Sequence, residues 1–585
     1  MKEIKGGELL LRSLAMEKIE HVHAITDGTY MSFLEPLERL GDELGVRLVV
    51  PRHEAAAAHL CDGYSRATGR PAVVMACAGP GAANLLSGLI CAEAEGSPVV
   101  AITTTRRSDI GDSYAHQAAM QVGDQLGYFK AAVKWSGRID HWKRIPDMVR
   151  HAFRVALSGR PGPVHLLIPQ DVLDAYGDPG AVALIEPERY RTTAMFRQTA
   201  EAGSIERAAK LLTGAKLVSI RVGNGCERAG AGAEVRELAE YLGMPVTKTA
   251  RGAAVVPCCY PLALHTLSPA AFLANTEADV LLVIGTRMGE LSGFGQPPLW
   301  PDTNSAKTIQ IDSEPNNIGL NRPVDVGLVG DAKAVLQQLI SAVRKMTGPR
   351  APHEKISGYK EIESQWRQGL DEVAENMQEP MCIGAAVREV NRYFGDDVIF
   401  ALDGGNTNWW GIQYASARQE RSVLQSSNYG HLGTGLPYAL GAKLAFPHRP
   451  VCCVSGDSAF CFNIQELETA IRENLPVVCV VMVDGAWGME KTAQRRTWGR
   501  DAPWFKVFNA EQLRFDKVCE SMGGHGEFVT RAPDIQPALD RSLASGKVSV
   551  IHCVIDPDSN IWPPGIEAWN ALRSGKVAEW LSGEA

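Results

Sequence analysis

Two apolar runs, residues 451–454 and 477–483, flank a helical stretch at 464–473, and each run leads into a carboxylate. The first is Asp457, in Gly456-Asp457-Ser458. The second, 27 positions later, is Asp484, in Asp484-Gly485. The order strand, loop, helix, strand, loop predicts a parallel sheet. Both aspartates then stand at the carboxyl ends of strands, where open α/β sheets bind ligands. Carboxylates so placed suit Mg²⁺, a hard cation that is usually held by one or two of them together with substrate phosphates.

The alternation recurs along all 585 residues, too long a chain for one core, since single cores stop growing near ~250–300 residues. Apolar runs at 47–50, 72–76 and 98–103 alternate with helical segments, and a strand entered from a turn follows at 162–169. Further runs lie at 217–222, 280–284 and 308–312. The fold class expected is α/β, with three doubly wound parallel-sheet domains: 1–185, a central domain at 195–345, and 360–565, followed by a C-terminal tail at 566–585. Polar stretches at 186–201 and 346–357 read as linkers.

Composition narrows the function classes. A net charge of −8 offers no general attraction for nucleic acid or anionic membrane. No stretch approaches the ~18 apolar residues of a membrane helix, and residues 1–14 carry too many charges for a signal peptide. The 13 cysteines are scattered without a Cys-x-x-Cys pair, so a reduced, cytoplasmic protein is expected.

Two further motifs bear on chemistry. Gly223-Asn224-Gly225 lacks a full dinucleotide fingerprint and reads equally as a tight strand-to-helix turn. Arg52-His53-Glu54-Ala55-Ala56-Ala57-Ala58-His59 places Glu54 where a strand meets an alanine-rich helix. Small residues let backbones pack closely, so Glu54 is expected in tight, dry surroundings with a raised pKa. Position alone favours a first-turn Glu stabilised by the helix dipole.

Together with Gly79-Pro80-Gly81-Ala82-Ala83-Asn84, Gly319-Leu320-Asn321-Arg322-Pro323, Asp403-Gly404-Gly405-Asn406 and Gly430-His431-Leu432-Gly433-Thr434-Gly435, these motifs resemble the acetohydroxyacid synthase-like thiamine diphosphate enzymes over nearly the whole chain. The resemblance implies pyrimidine-binding, central and diphosphate-binding domains. It also implies that Glu54 contacts N1′ of the aminopyrimidine, that the Gly430 carbonyl accepts from the 4′-amino group, and that Leu432 is the wedge that folds the cofactor. Asp457, Asp484 and the carbonyl of Ala486 match the Mg²⁺ ligands. Gly79, Asn406, Thr407, Gly456, Ser458, Ala459, Trp487 and Gly488 complete the implied cofactor contacts. On the substrate side, Gln117 matches a family position. His116, Asp27 and His431 are acid–base candidates; Asp27 reads equally as a turn former, and His116 as an ordinary loop residue. His53 and His59 read as structural.

Some residues depart from the family pattern. Asp484 replaces an Asn, adding a charge that should cost cofactor affinity unless a cation offsets it. Asp484→Asn is therefore expected to keep or tighten cofactor binding. Ala493 stands where acetohydroxyacid synthase has a Trp, and Leu291 where it has the Arg that grips the substrate carboxylate. The expected reaction is therefore cleavage, most simply decarboxylation, of a 2-oxo acid, with protonation or carboligation of the resulting carbanion–enamine. The alternatives are a C–C lyase or hydrolase acting without decarboxylation, and a flavin-linked oxidase. FAD is a further candidate because related middle domains hold it, though no residue here compels it. The family shares each active site between subunits, which makes a homodimer the minimum and a homotetramer the expected assembly.

Overall fold

The computed structural model describes residues 3–111, 119–190, 197–375, 379–415, 417–499, 503–510 and 513–563. His116 and Gln117 lie outside the described residues. Three parallel sheets follow one another along the chain. The first contains β1 (His21–Ala24), β2 (Arg47–Val49), β3 (Ala72–Ala76), β4 (Val99–Thr105), β5 (Trp135–Arg138) and β6 (Val164–Pro169), in the order β2-β1-β3-β4-β6-β5. The second contains β7 (Val218–Val222), β8 (Val246–Lys248), β9 (Val280–Ile284), β10 (Lys307–Asp312) and β11 (Val326–Val329), in the order β8-β7-β9-β10-β11. The third contains β12 (Ile399–Leu402), β13 (Val423–Gln425), β14 (Val451–Gly456), β15 (Val478–Val483), β16 (His525–Val529) and β17 (Ser549–Val554). Its order, β13-β12-β14-β15-β17-β16, repeats that of the first sheet.

Helices cover both faces of each sheet, so the inner strands are largely buried. Ala72–Ala76 and Val280–Ile284 are buried at every position. In each sheet the first strand lies between the second and third, so the connection reverses direction beside it. The crevice at the carboxyl ends of those two strands is where such sheets take ligands. In the third sheet that place falls at Asp403-Gly404-Gly405 and Gly456-Asp457. In the second it falls at Gly223-Asn224-Gly225 and Gly285.

Gly223-Asn224-Gly225 forms the turn from β7 into the short helix α1 (Asn224–Arg228). A Cβ on Gly225 would stand 2.8 Å from the Cα of Gly285, so the two turns touch through backbone alone. The alanine-rich segment is the helix α2 (Glu54–Thr68), capped by His53, whose Nδ1 accepts from the amide of Ala55. It packs on α3 (Pro80–Glu95) and on α4 (Gly435–Ala445) of the third sheet, so the first and third sheets share one apolar cluster. The linker expectation at 346–357 is too long at its far end, because the helix Lys355–Ala374 begins inside it. That helix buries Ile356, Tyr359, Leu370 and Ala374 on one face. Among the described residues no helix is long and apolar enough to cross a membrane.

Candidate active site

β14 ends at Gly456, and Asp457 opens the short helix Asp457–Phe460. The carboxylate is 2% exposed. Its Oδ1 accepts from the amide of Ser458 at 2.5 Å, and its Oδ2 from the amide of Gly485 at 2.9 Å. Asp484 follows β15, which lies beside β14, so the two carboxylates come from adjacent strands. Burial, with the negative charge of Asp484 adding to it, pushes the Asp457 carboxyl up to about 7. The Ser458 hydroxyl lies 3.1 Å from the carbonyl oxygen of Ala486 and 3.2 Å from Asp457 Oδ1. The Asp457 carboxylate and the Ala486 carbonyl thus meet at Ser458, with Asp484 at the end of the adjacent strand, an all-oxygen set of a kind that fits a hard cation. Among the described residues there is no cluster of three or more His, Cys, Asp or Glu side chains that could hold a metal.

The surrounding residues come from several segments. Asn406 and Thr407 open the helix Asn406–Tyr414 directly after β12, and both are buried. A helix start offers unpaired amides to a phosphate. Asn406 Nδ2 donates to the carbonyl of Asn560 at 2.8 Å, while its Oδ1 is buried without a partner. Ala459 and Ser458 are buried in the turn after Asp457, and Trp487 and Gly488 lead into the helix α5 (Gly488–Trp498). Gly430 adopts φ +69°, a left-handed conformation that suits glycine. Leu432 is half-buried beside it. His431 Nε2 lies 2.6 Å from Ser87 Oγ, and its ring lies 4.5 Å from that of His59.

Three residues at this site escaped the sequence reading. Lys491 Nζ lies 3.2 Å from Asp484 Oδ2. Asn509 donates to Ser458 Oγ at 3.0 Å. Asn560 closes over Asn406. The signal for Lys491 was available, since a buried extra carboxylate needs a partner.

Glu54 requires a correction. It is half-buried rather than enclosed, because the tight packing of α2 begins two residues further on, at Ala56. Its Oε2 accepts from Asn84 at 3.0 Å, and Gly81 leaves room for Oε1, since a Cβ there would stand 3.0 Å from it. Asp27 caps a short 3₁₀ turn, its Oδ1 accepting from the amide of Thr29 at 2.8 Å. Gly79 precedes α3 with φ +70°. A cavity of about 1590 Å³ opens where the three domains meet. Asn224, Gly225, Arg287 and Leu291 line it from the central domain, and Gly404, Gly430, Leu432 and Ala493 from the third. Neither Glu54 nor Asp457 is among its lining residues.

Three family models match the chain in order. The N-terminal TPP binding domain of thiamine pyrophosphate enzymes matches residues 4–127, their central domain 205–339, and their C-terminal TPP binding domain 403–553. The chain is 31% identical to a probable acetolactate synthase large subunit of Methanococcus aeolicus, over 97% of this chain and 95% of that protein. It is 30% identical to the acetolactate synthase large subunit of Corynebacterium glutamicum, over 96% and 88%. It is 28% identical to the acetolactate synthase isozyme 3 large subunit of Escherichia coli K12, over 100% and 99%.

Proposed function

The chain belongs to the thiamine pyrophosphate enzymes, and from that premise we propose that it decarboxylates a 2-oxo acid in a Mg²⁺-dependent reaction and then protonates or ligates the product fragment. It is a thiamine diphosphate-dependent enzyme of the acetolactate synthase type. The observation that carries the Mg²⁺ part is the pair of aspartates at the ends of adjacent strands, both with buried carboxylates, and the Ala486 carbonyl near Asp457. Asp457, Asp484 and Ala486 would hold the metal. Asn406 and Thr407, at a helix start, would take the diphosphate.

When bound, thiamine diphosphate supplies the electron sink for breaking the bond next to a carbonyl. The protein orients and excludes water. In this reading the Gly430 carbonyl and the Leu432 side chain fix the ring geometry, and Glu54 holds a proton at the pyrimidine. Holding reacting groups in place can supply ~7–11 kcal/mol of the barrier. Leu291 and Ala493 both line the cavity, so the departures from acetohydroxyacid synthase fall where a second substrate would approach. That placement supports an altered acceptor. Cysteines that are all free suit a reducing compartment, in keeping with a cytoplasmic enzyme. The half-open setting of Glu54 supports a site completed by a second subunit. The reaction as proposed needs no FAD, and nothing in the relatives' names favours the lyase, hydrolase or oxidase alternatives.

The test is incubation of the protein with thiamine diphosphate, Mg²⁺ and a panel of 2-oxo acids, diketones and aldehydes. Carbon dioxide release that stops on removing Mg²⁺ with a chelator is expected. Products formed without carbon dioxide would replace the proposal with a lyase or hydrolase.

A further inference from the structure

Asp484 stands where the resemblance places a neutral amide, and it does not stand alone. Lys491 lies on α5, its backbone amide donating to the carbonyl of Trp487 at 2.9 Å. Its Nζ is 3.2 Å from Asp484 Oδ2 and donates to the carbonyl of Pro557 at 2.8 Å. The two side chains are 5% and 2% exposed, so the ion pair is sealed from water. Asp484 Oδ1 accepts from the amide of Ala486 at 3.2 Å, on the side of the expected metal ligands.

We infer that Lys491 is a positioning residue coupled to Asp484: its ammonium cancels the added carboxylate charge and holds Oδ2, leaving Oδ1 for the cation. Asp457, Asp484 and Lys491 then carry one net negative charge, the same as an Asp–amide pair. A cation sealed beside the carboxylate interacts strongly because water screens it little. The apparently conservative Asp484→Asn therefore leaves Lys491 as a buried cation held by one carbonyl, next to a divalent metal. Lys491→Met leaves the opposite fault, an uncompensated carboxylate beside a diphosphate.

The inference rests on the Mg²⁺–diphosphate reading of the site, and a double-mutant cycle tests it. Wild type, Asp484→Asn, Lys491→Met and the double variant are titrated with thiamine diphosphate in saturating Mg²⁺ by calorimetry. The melting temperature of each is measured without cofactor. Each single variant is expected to bind about tenfold more weakly or worse, which for Asp484→Asn reverses the expectation drawn from sequence alone, and the double variant to return to within about threefold of wild type. Additive effects on affinity in a binding-competent protein overturn the inference and leave the function standing. Coupling in melting temperature with none in affinity makes the pair a packing strut and also overturns it. Absence of binding by the wild type sinks both readings. If Lys491→Met does not fold, Lys491→Gln takes its place, since it keeps a donor for Pro557 without the charge.

Discussion

Glu54 is the residue on which turnover should depend most, and its surroundings make a clean variant available. Gln keeps the size of the side chain and can still bond Asn84, so Glu54→Gln is expected to melt within a few degrees of wild type. Loss of a positioned acid typically costs about 10²–10⁴-fold, and kcat should fall by that order with thiamine diphosphate still bound. Turnover equal to wild type would remove Glu54 from the mechanism. A second expectation concerns buried histidines. Burial pushes His23, His59 and His165 down to about 3, against about 6.5 in the unfolded chain. Below pH 6.5 the unfolded state takes up protons that the folded state refuses, so these groups lower stability as pH falls from 6.5 toward 3. Each contributes a slope of roughly 1.4 kcal/mol per pH unit in that window. His59 has both ring nitrogens buried without a partner. Urea denaturation of His59→Leu should show a pH slope flatter by about that one share; an unchanged slope would mean that His59 is protonated in the fold. The types of these residues were legible in the sequence, whereas their partners were not. Asp27, for instance, reads equally as acid or turn former, and only the structure shows Thr29 donating to its carboxylate.

At the scale of elements, α2 and α4 meet backbone to backbone. A Cβ on Gly441 would stand 2.2 Å from the carbonyl oxygen of Leu60, and one on Gly63 would stand 2.6 Å from Cα of Tyr438. Neither obstacle is the flexible end of a side chain, so the helices themselves must separate. Gly441→Ala is expected to destabilise by about 1–3 kcal/mol through overpacking, despite the better helix propensity of Ala. Chemical denaturation reads this directly, and a stabilised variant would show that the helices are free to part. The run of alanines predicts close packing from sequence, and close packing is what α2 has. Its partner, almost 400 residues further on, is not predictable from an apolar pattern, which marks a face and not what covers it. The helix Lys355–Ala374 illustrates the converse. Ile356, Tyr359, Leu370 and Ala374 share a face, yet its first residues, 355–357, read as the end of a polar linker.

For the whole molecule, the first and third sheets repeat one strand order and share one apolar cluster, and neither Glu54 nor Asp457 lines the large cavity between the domains. If two chains complete each site, variants damaged on opposite halves should complement. Mixing equal amounts of Glu54→Gln and Asp457→Asn after dissociation and reassembly should recover about a quarter of wild-type activity, since random pairing puts both intact halves in that share of sites. A mixture no more active than either variant alone would place the whole site within one chain. By itself the sequence determined that the chain forms parallel α/β sheets and where its strand-end carboxylates fall, because apolar period and turn residues are local properties. Only the tertiary structure decided that Lys491 neutralises Asp484, that Glu54 stays half-open, and that three domains enclose one cavity. Those facts depend on the directions in which side chains leave separate elements, and such directions are settled only when the elements pack.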